Sequence, residues 1–124
     1  MTWPPKPGER LPDAEEAVNV REKLADYSLN MTHTDGRPKA RGFERILGIT
    51  IAEIDHLEAA ILAGIDETPI GSVRHNPPYG YNCVVDLALG GLGEKSGRTA
   101  ELRTVWRIAE AGSPPRMTTA YLRA

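Results

Sequence analysis

The sequence predicts a single α+β domain, with helices in its first half and an antiparallel sheet in its last 45 or so residues. Apolar residues recur at helical spacing up to about residue 63, and from residue 81 they alternate with polar residues instead. A segment rich in proline and glycine separates the two patterns. With 124 residues and 40% hydrophobic content, the chain can bury a core without disulfides or a structural metal.

The first elements are an extended arm over residues 1–12 and a helix over about 20–29. The arm is rich in proline and has no apolar run, so it is not expected to be a signal peptide. The domain proper is predicted to span 13–124. Asn19 is the expected N-cap of the first helix, and turn residues over 30–36 end it. Its inner stripe is expected to comprise Val20, Leu24, Tyr27 and, at its margin, Ser28.

Two more helices follow. The second is predicted over about 37–47, because Pro38 is tolerated in a first helical turn and Gly48 supplies a stop. The third is predicted over about 50–63, where Thr50 and Glu53 match a capping box. Residues 64–80 are expected to form a loop.

The strands are predicted over about 81–89, 99–109 and 116–122. Each shows the period of two that a half-buried strand requires. The connections between them are short and contain glycine or proline, so consecutive strands should pair as an antiparallel meander.

Composition narrows the function classes. The lone cysteine, Cys83, excludes an intrachain disulfide and a multi-cysteine zinc site, which fits a reducing, cytoplasmic compartment. No stretch approaches the roughly 20 apolar residues that span a bilayer, so no membrane partner is expected. No phosphate-binding loop, dinucleotide-binding glycine pattern or metal-binding motif is present, so no cofactor or metal is expected.

Charge is unevenly distributed although the formal net charge is only −2. Residues 46–94 carry seven acids and a single base, Arg74. Bases concentrate in the second predicted helix (Arg37, Lys39, Arg41 and Arg45) and in the last thirty residues. A fold that joins these two basic clusters would create a cationic face on a nearly neutral protein.

His33 lies in the turn directly ahead of the basic helix. An imidazole beside Arg37, Lys39 and Arg41 suits a phosphodiester, because it can move a proton while the cations stabilise developing charge. Equally open is a histidine that only caps the helix, with the cations forming a solvated face.

The last two strands supply a second candidate cluster, made of Arg103, Thr104, Trp106, Thr118, Thr119 and Tyr121. Threonine and aromatic residues are also good strand formers, so a purely structural role is an alternative. Asp86 is expected to pair with Arg103 or Arg107 across the sheet rather than act as a catalytic carboxylate.

Several segments together resemble a family of uncharacterised bacterial domains. The matching segments are Leu11-Pro12-Asp13-Ala14, Lys23-Leu24-x-Asp26-Tyr27-x-Leu29-Asn30, His33-x-x-Gly36-Arg37-x-Lys39-Ala40-Arg41-x-Phe43, Leu47-Gly48-Ile49-Thr50, Tyr81-x-Cys83-Val84-Val85-Asp86, Arg103-Thr104-Val105-Trp106-Arg107-Ile108 and Pro115-Arg116-Met117-Thr118-Thr119-Ala120-Tyr121. Members look like stand-alone proteins, often encoded beside a small partner, or like C-terminal modules of polymorphic toxins. The layout is also similar to that of barnase-like, EndoU-like, colicin and RelE-type ribonucleases.

The resemblance implies a ribonuclease toxin that cleaves RNA without a metal, by attack of the ribose 2′-hydroxyl, with a cognate antitoxin or immunity protein as partner. It implies His33 as general acid or base, and Tyr121 as a residue that stacks on or positions a base. Phosphate would be stabilised by Lys39, Arg41 and Arg103 and by Thr104 or Thr118, with Arg37 and Trp106 binding substrate. The alternative from a different class is a non-enzymatic protein-binding module, either an adaptor or a neutralising partner.

Overall fold

Three helices precede a four-stranded antiparallel sheet in the computed structural model, which describes residues 3–123. The α+β class and the antiparallel meander are therefore confirmed. The helices are α1 (Val20–Lys23, extended by a π-helical turn Leu24–Ser28), α2 (Arg37–Gly42, extended by a π-helical turn Phe43–Leu47) and α3 (Ile54–Glu67). The strands are β1 (Ser72–His75), β2 (Tyr81–Gly90), β3 (Thr99–Ile108) and β4 (Arg116–Arg123).

Asn19 occupies the predicted N-cap position of α1 but does not serve as a side-chain cap. Asn19 has a left-handed backbone with φ of 69°, and its side chain makes no hydrogen bond to the helix. Its amide nitrogen instead donates to the backbone oxygen of Met117, at 3.0 Å. Asn19 thus attaches the beginning of α1 to β4, which satisfies a carbonyl on the edge of the sheet.

The capping box before α3 is present as the sequence predicts. The Glu53 carboxylate accepts a hydrogen bond from the Thr50 backbone N–H at 2.8 Å, and a 3₁₀ turn, Ile51–Glu53, leads into α3. The helix ends at Glu67, four residues beyond the predicted end. Gly64 continues the helix because it allows close packing: a Cβ there would lie 2.8 Å from Cδ1 of Leu87 on the sheet.

The sheet has one strand more than the sequence predicts. β1 lies within the segment expected to be a loop, and it pairs with β2 from Ser72–Val84 to His75–Tyr81. Ahead of β1, the Ile70 backbone exchanges hydrogen bonds with the arm, donating to the oxygen of Glu9 and accepting from the N–H of Gly8, each at 2.8 Å. Residues 8 and 9 of the arm are therefore fixed against the domain, and residues 1 and 2 lie outside the described part of the chain.

The strand residues divide into an inner face, buried against the helices, and an outer face. The inner face contributes Cys83, Val85, Leu87, Leu89, Leu102, Thr104, Trp106, Ile108, Met117 and Ala120 to the core. The outer face carries the residues that alternate with these, among them Arg74, Asn82, Asp86, Glu101, Arg103, Arg107, Arg116, Thr119, Tyr121 and Arg123. Within residues 3–123, no helix is long and apolar enough to cross a membrane.

Thr104 and Trp106 are fully buried and hydrogen-bonded to each other. The indole Nε1–H of Trp106 donates to Thr104 Oγ1 at 2.8 Å, and that hydroxyl donates to the backbone oxygen of Val85 at 2.7 Å. The core can contain the polar side chain of Thr104 because its hydroxyl group both donates and accepts a hydrogen bond there.

We predict that Thr104→Val destabilises the fold by about 1–3 kcal/mol, because valine keeps the volume but leaves the Trp106 N–H without an acceptor. Urea unfolding followed by tryptophan fluorescence measures the loss. Thr99→Val, at an exposed position of the same strand, is the matched control and should change stability by less than about 0.5 kcal/mol. Equal stability of the two variants would contradict the buried hydrogen-bond pair.

Candidate phosphate-binding site

Lys39 joins the basic helix to the edge of the sheet. Its ammonium lies 4.2 Å from the ring centre of Tyr27 on α1 and 5.3 Å from that of Tyr121 on β4. It also donates a hydrogen bond to Thr119 Oγ1 at 3.3 Å. Two aromatic rings and a hydroxyl oxygen hold the cation in place, since ring faces attract positive charge.

His33 contacts the same Tyr27 ring that Lys39 approaches. The two rings of His33 and Tyr27 meet edge to face, with centroids 4.9 Å apart. Nδ1 of His33 accepts hydrogen bonds from the backbone N–H groups of Asp35 and Gly36, both at 3.0 Å. With Nδ1 occupied as an acceptor, the proton of the neutral ring lies on Nε2, which is therefore a donor.

This arrangement modifies the role predicted for His33. The imidazole does stabilise the turn before α2, as the capping alternative requires, and its remaining nitrogen offers a hydrogen bond rather than a lone pair. In this conformation His33 suits the binding of an anionic oxygen and does not suit proton abstraction.

Gly36 explains why the turn can close on α1. A Cβ at this position would lie 2.2 Å from the backbone oxygen of Tyr27, closer than real Cβ contacts allow. Only glycine therefore lets the backbone of residues 33–36 pack against Tyr27. The same approach sets the position of the His33 ring.

Arg103 lies on the outer face beside Tyr121, to which it is paired in register. Its guanidinium makes two hydrogen bonds to Asp86, Nε to Oδ1 at 2.9 Å and Nη2 to Oδ2 at 3.0 Å. The expected cross-strand ion pair is therefore present. The hydrogen bonds that Arg103 donates to Asp86 raise the pKa of Arg103 above its ordinary value, with a smaller contribution from Tyr121. Arg123 approaches the same carboxylate at 3.7 Å.

An open cleft of about 240 Å³ lies between α2 and β4, beside the Lys39 contacts. Its wall combines cationic, aromatic and aliphatic side chains: Pro38, Lys39, Gly42, Arg45, Ile46, Tyr121 and Leu122. A phosphate could reach Lys39 here while an attached base lies against Tyr121.

The site residues predicted from the sequence fall into four groups. His33, Lys39, Arg103 and Tyr121 lie around the junction of α1, α2 and β4. Arg37 and Arg41 are exposed on the solvent side of α2. Thr104 and Trp106 face the core, and their burial removes them from contact with a substrate. Thr118 is half-buried at a β-bulge and its hydroxyl donates to the Val105 backbone oxygen at 3.3 Å.

Three residues at the site were assigned no functional role from the sequence. Tyr27 was expected on the inner stripe of α1, Thr119 was placed in the second cluster without a role, and Arg45 was counted only among the bases of the second helix. The in-phase spacing of Thr119 and Tyr121 was the one usable signal. The contact of Tyr27 with both His33 and Lys39 depends on helix packing, which spacing along the chain does not report.

No group of three or more His, Cys, Asp or Glu side chains within residues 3–123 is arranged to hold a metal ion. Cys83 is fully buried in the inner face of β2. Burial raises the pKa of its thiol to about 11, because the apolar surroundings disfavour the thiolate. Cys83 is therefore a core residue, not a nucleophile.

A family model with the description Domain of unknown function (DUF6883) matches residues 10–124. The match covers nearly the whole chain, so the protein belongs to this family. No curated protein and no solved structure matches the chain.

We predict that Tyr27→Leu removes an aromatic contact from both His33 and Lys39, because one ring contacts the two of them. The resonances of the His33 imidazole should shift when the ring current of Tyr27 is removed, and stability should fall by about 1–2 kcal/mol. Two-dimensional NMR of the histidine side chains measures the shift. His56, exposed on α3, is the internal control and should not move. An unchanged His33 spectrum would contradict the ring contact.

Proposed function

We propose that this protein is a ribonuclease toxin that cleaves RNA without a metal ion. The observation that carries the proposal is the ammonium of Lys39, held between Tyr27 and Tyr121, with the His33 imidazole against the same Tyr27 ring. Two fixed donors of different type beside an aromatic ring suit a phosphodiester with an attached base.

The proposed reaction is internal transfer at phosphorus. The ribose 2′-oxygen forms a bond to the adjacent phosphorus, and the bond from phosphorus to the 5′-oxygen breaks. The products are a 2′,3′-cyclic phosphate and a free 5′-hydroxyl. The 2′-hydroxyl gives its proton to solvent, and the departing 5′-oxygen takes one from solvent.

Lys39 and the Nε2–H of His33 would stabilise the negative charge that grows on the non-bridging oxygens. Both donors are held before substrate arrives, Lys39 by two rings and Thr119 and His33 by two backbone N–H groups. Fixed donors act without reorganisation during the reaction, which is the main source of their effect. Tyr121 would stack on a base, and Arg37 and Arg41 would contact phosphates farther along the chain.

The toxin assignment and a small cognate antitoxin or immunity protein as partner rest on the resemblance described above. A cytoplasmic site of action rests on the lone cysteine, which fits a reducing compartment. The supporting feature on the molecule is the segregated charge. A cationic site flanked by exposed arginines suits an acidic neutralising protein as well as RNA.

A non-enzymatic protein-binding module is the second candidate. The observation in its favour is the pairing of Arg103 with Asp86, which already satisfies a cation that the sequence assigned to phosphate. In that case the same donors would bind carboxylates of a partner protein.

We predict that purified protein degrades total RNA equally with and without EDTA, and that Lys39→Gln slows the cleavage at least about a hundredfold. Gel electrophoresis of the products measures the rate, and a terminal 2′,3′-cyclic phosphate identifies the chemistry. Lys6→Gln, an exposed position in the arm, is the matched control and should cleave like wild type.

His33→Ala should also slow cleavage, by less than Lys39→Gln if His33 only donates a hydrogen bond. Intact RNA at high protein concentration, or wild-type rates in both site variants, would remove the proposal. Capture of a small acidic protein without RNA cleavage would favour the binding module.

A further inference from the structure

We propose that the outer face of the sheet binds the phosphates of single-stranded RNA through an arginine row, which consists of Arg74, Asn82, Arg107 and Arg116. The row extends the proposed function, since it names a second contact surface for the same substrate. It lies outside the cleft beside Lys39, and none of its residues contacts the Lys39 ammonium.

The strand register places the row side by side across all four strands. Arg74 pairs with Asn82, Asn82 with Arg107, and Arg107 with Arg116. The sequence neighbours of these residues point into the core, as Cys83, Trp106 and Met117 do. Because successive strand residues point to opposite faces, the four row residues share the outer face, about 4.8 Å from strand to strand.

The charges of the row are uncompensated. Arg74, Arg107 and Arg116 form no ion pair within residues 3–123, whereas Arg103 pairs with Asp86 and Arg123 with Glu101 on the same face. Arg107 and Arg116 are also direct cross-strand neighbours, and like charges in that position destabilise a sheet. An arrangement that costs stability and has no internal partner fits an external anion.

An aromatic residue beside the row favours RNA over an acidic protein. Tyr79 is 58% exposed, and its ring centre lies 5.9 Å from the guanidinium carbon of Arg107. Cations that bind the backbone together with an exposed ring that stacks on bases are the pattern of single-strand binding.

The row and the Lys39 site lie on one continuous surface. Thr119, which accepts the hydrogen bond from Lys39, is on β4 three residues after Arg116 and also belongs to the outer face. A strand of RNA with one phosphate at Lys39 could therefore continue over β4 and β3 to the row and place a base on Tyr79.

The test is fluorescence anisotropy with a labelled 2′-O-methyl oligoribonucleotide, which binds as RNA but has no free 2′-hydroxyl to attack phosphorus. The double variant Arg107→Gln with Arg116→Gln should bind more weakly than wild type. Its plot of log affinity against log salt should be less steep by about 1.4, from about 0.7 for each lost phosphate contact. Arg98→Gln, in the exposed loop between β2 and β3, is the control for a single charge change and should leave both quantities unchanged.

A second pair of variants tests the ring. Tyr79→Ala should weaken binding about tenfold, and Tyr79→Phe, which keeps the ring, should bind like wild type. Circular dichroism and thermal unfolding establish that each variant is folded.

The proposal is overturned if wild type does not bind the oligonucleotide, if the double variant binds like wild type, or if polyglutamate binds more tightly than the oligonucleotide. Binding that depends on the row without any RNA cleavage would leave the row standing and remove the ribonuclease. Cleavage that depends on Lys39, together with oligonucleotide binding that is unchanged in the row variants, would support the ribonuclease and remove the row.

Discussion

The enclosure of the Lys39 ammonium between two tyrosines is the contact on which the rest of the site depends. One ring comes from α1 and the other from β4, so a single cation links both helices to the edge of the sheet. Tyr27 in turn contacts His33, and Thr119 accepts from Lys39 on the strand side. Without this contact the cations of the basic helix would form an ordinary solvated face.

The outer face of the sheet is electrostatically divided. At one end the carboxylates of Asp86 and Glu101 neutralise Arg103 and Arg123. At the other end three arginines have no such partner in the described part of the chain. The protein is nearly neutral overall, yet its proposed ligand is an anion. The uneven pairing accounts for this, because Arg103 and Arg123 are already neutralised by carboxylates, whereas the row and Lys39 remain to bind the proposed ligand.

Local patterns were sufficient to predict the fold class, the three helices and three of the four strands. The capping box at Thr50 and Glu53 and the change of period near residue 81 identify α3 and the meander, since both are local signals. β1 was missed because it is four residues long and only Val73 packs against the core. The end of α3 was predicted too early because a glycine such as Gly64 commonly ends a helix. In this protein Gly64 lies within the helix, and its lack of a side chain allows Leu87 of the sheet to pack closely against it.

The site was predictable only in part. His33 and Lys39 are close in sequence, so their grouping needed no tertiary information. Alternation correctly puts Thr104 and Trp106 on the same face of the sheet, but it does not show whether that face is the inner or the outer one. The burial of Thr104 is explained only by its hydrogen bonds to Val85 and Trp106, which the structure shows. The tautomer of His33 likewise depends on the positions of the backbone N–H groups of Asp35 and Gly36, which the sequence alone does not predict.

A double-mutant cycle on the free energy of unfolding, with Lys39→Met and Tyr121→Leu, tests the central contact most directly. Methionine keeps much of the lysine's aliphatic bulk and removes the charge, so the coupling reports on the cation and the ring. The predicted coupling is about 0.5–1 kcal/mol, the usual range for a cation over an aromatic face near the surface. Additive effects of the two substitutions would contradict the contact, and with it the junction of basic helix and sheet on which the proposed site depends.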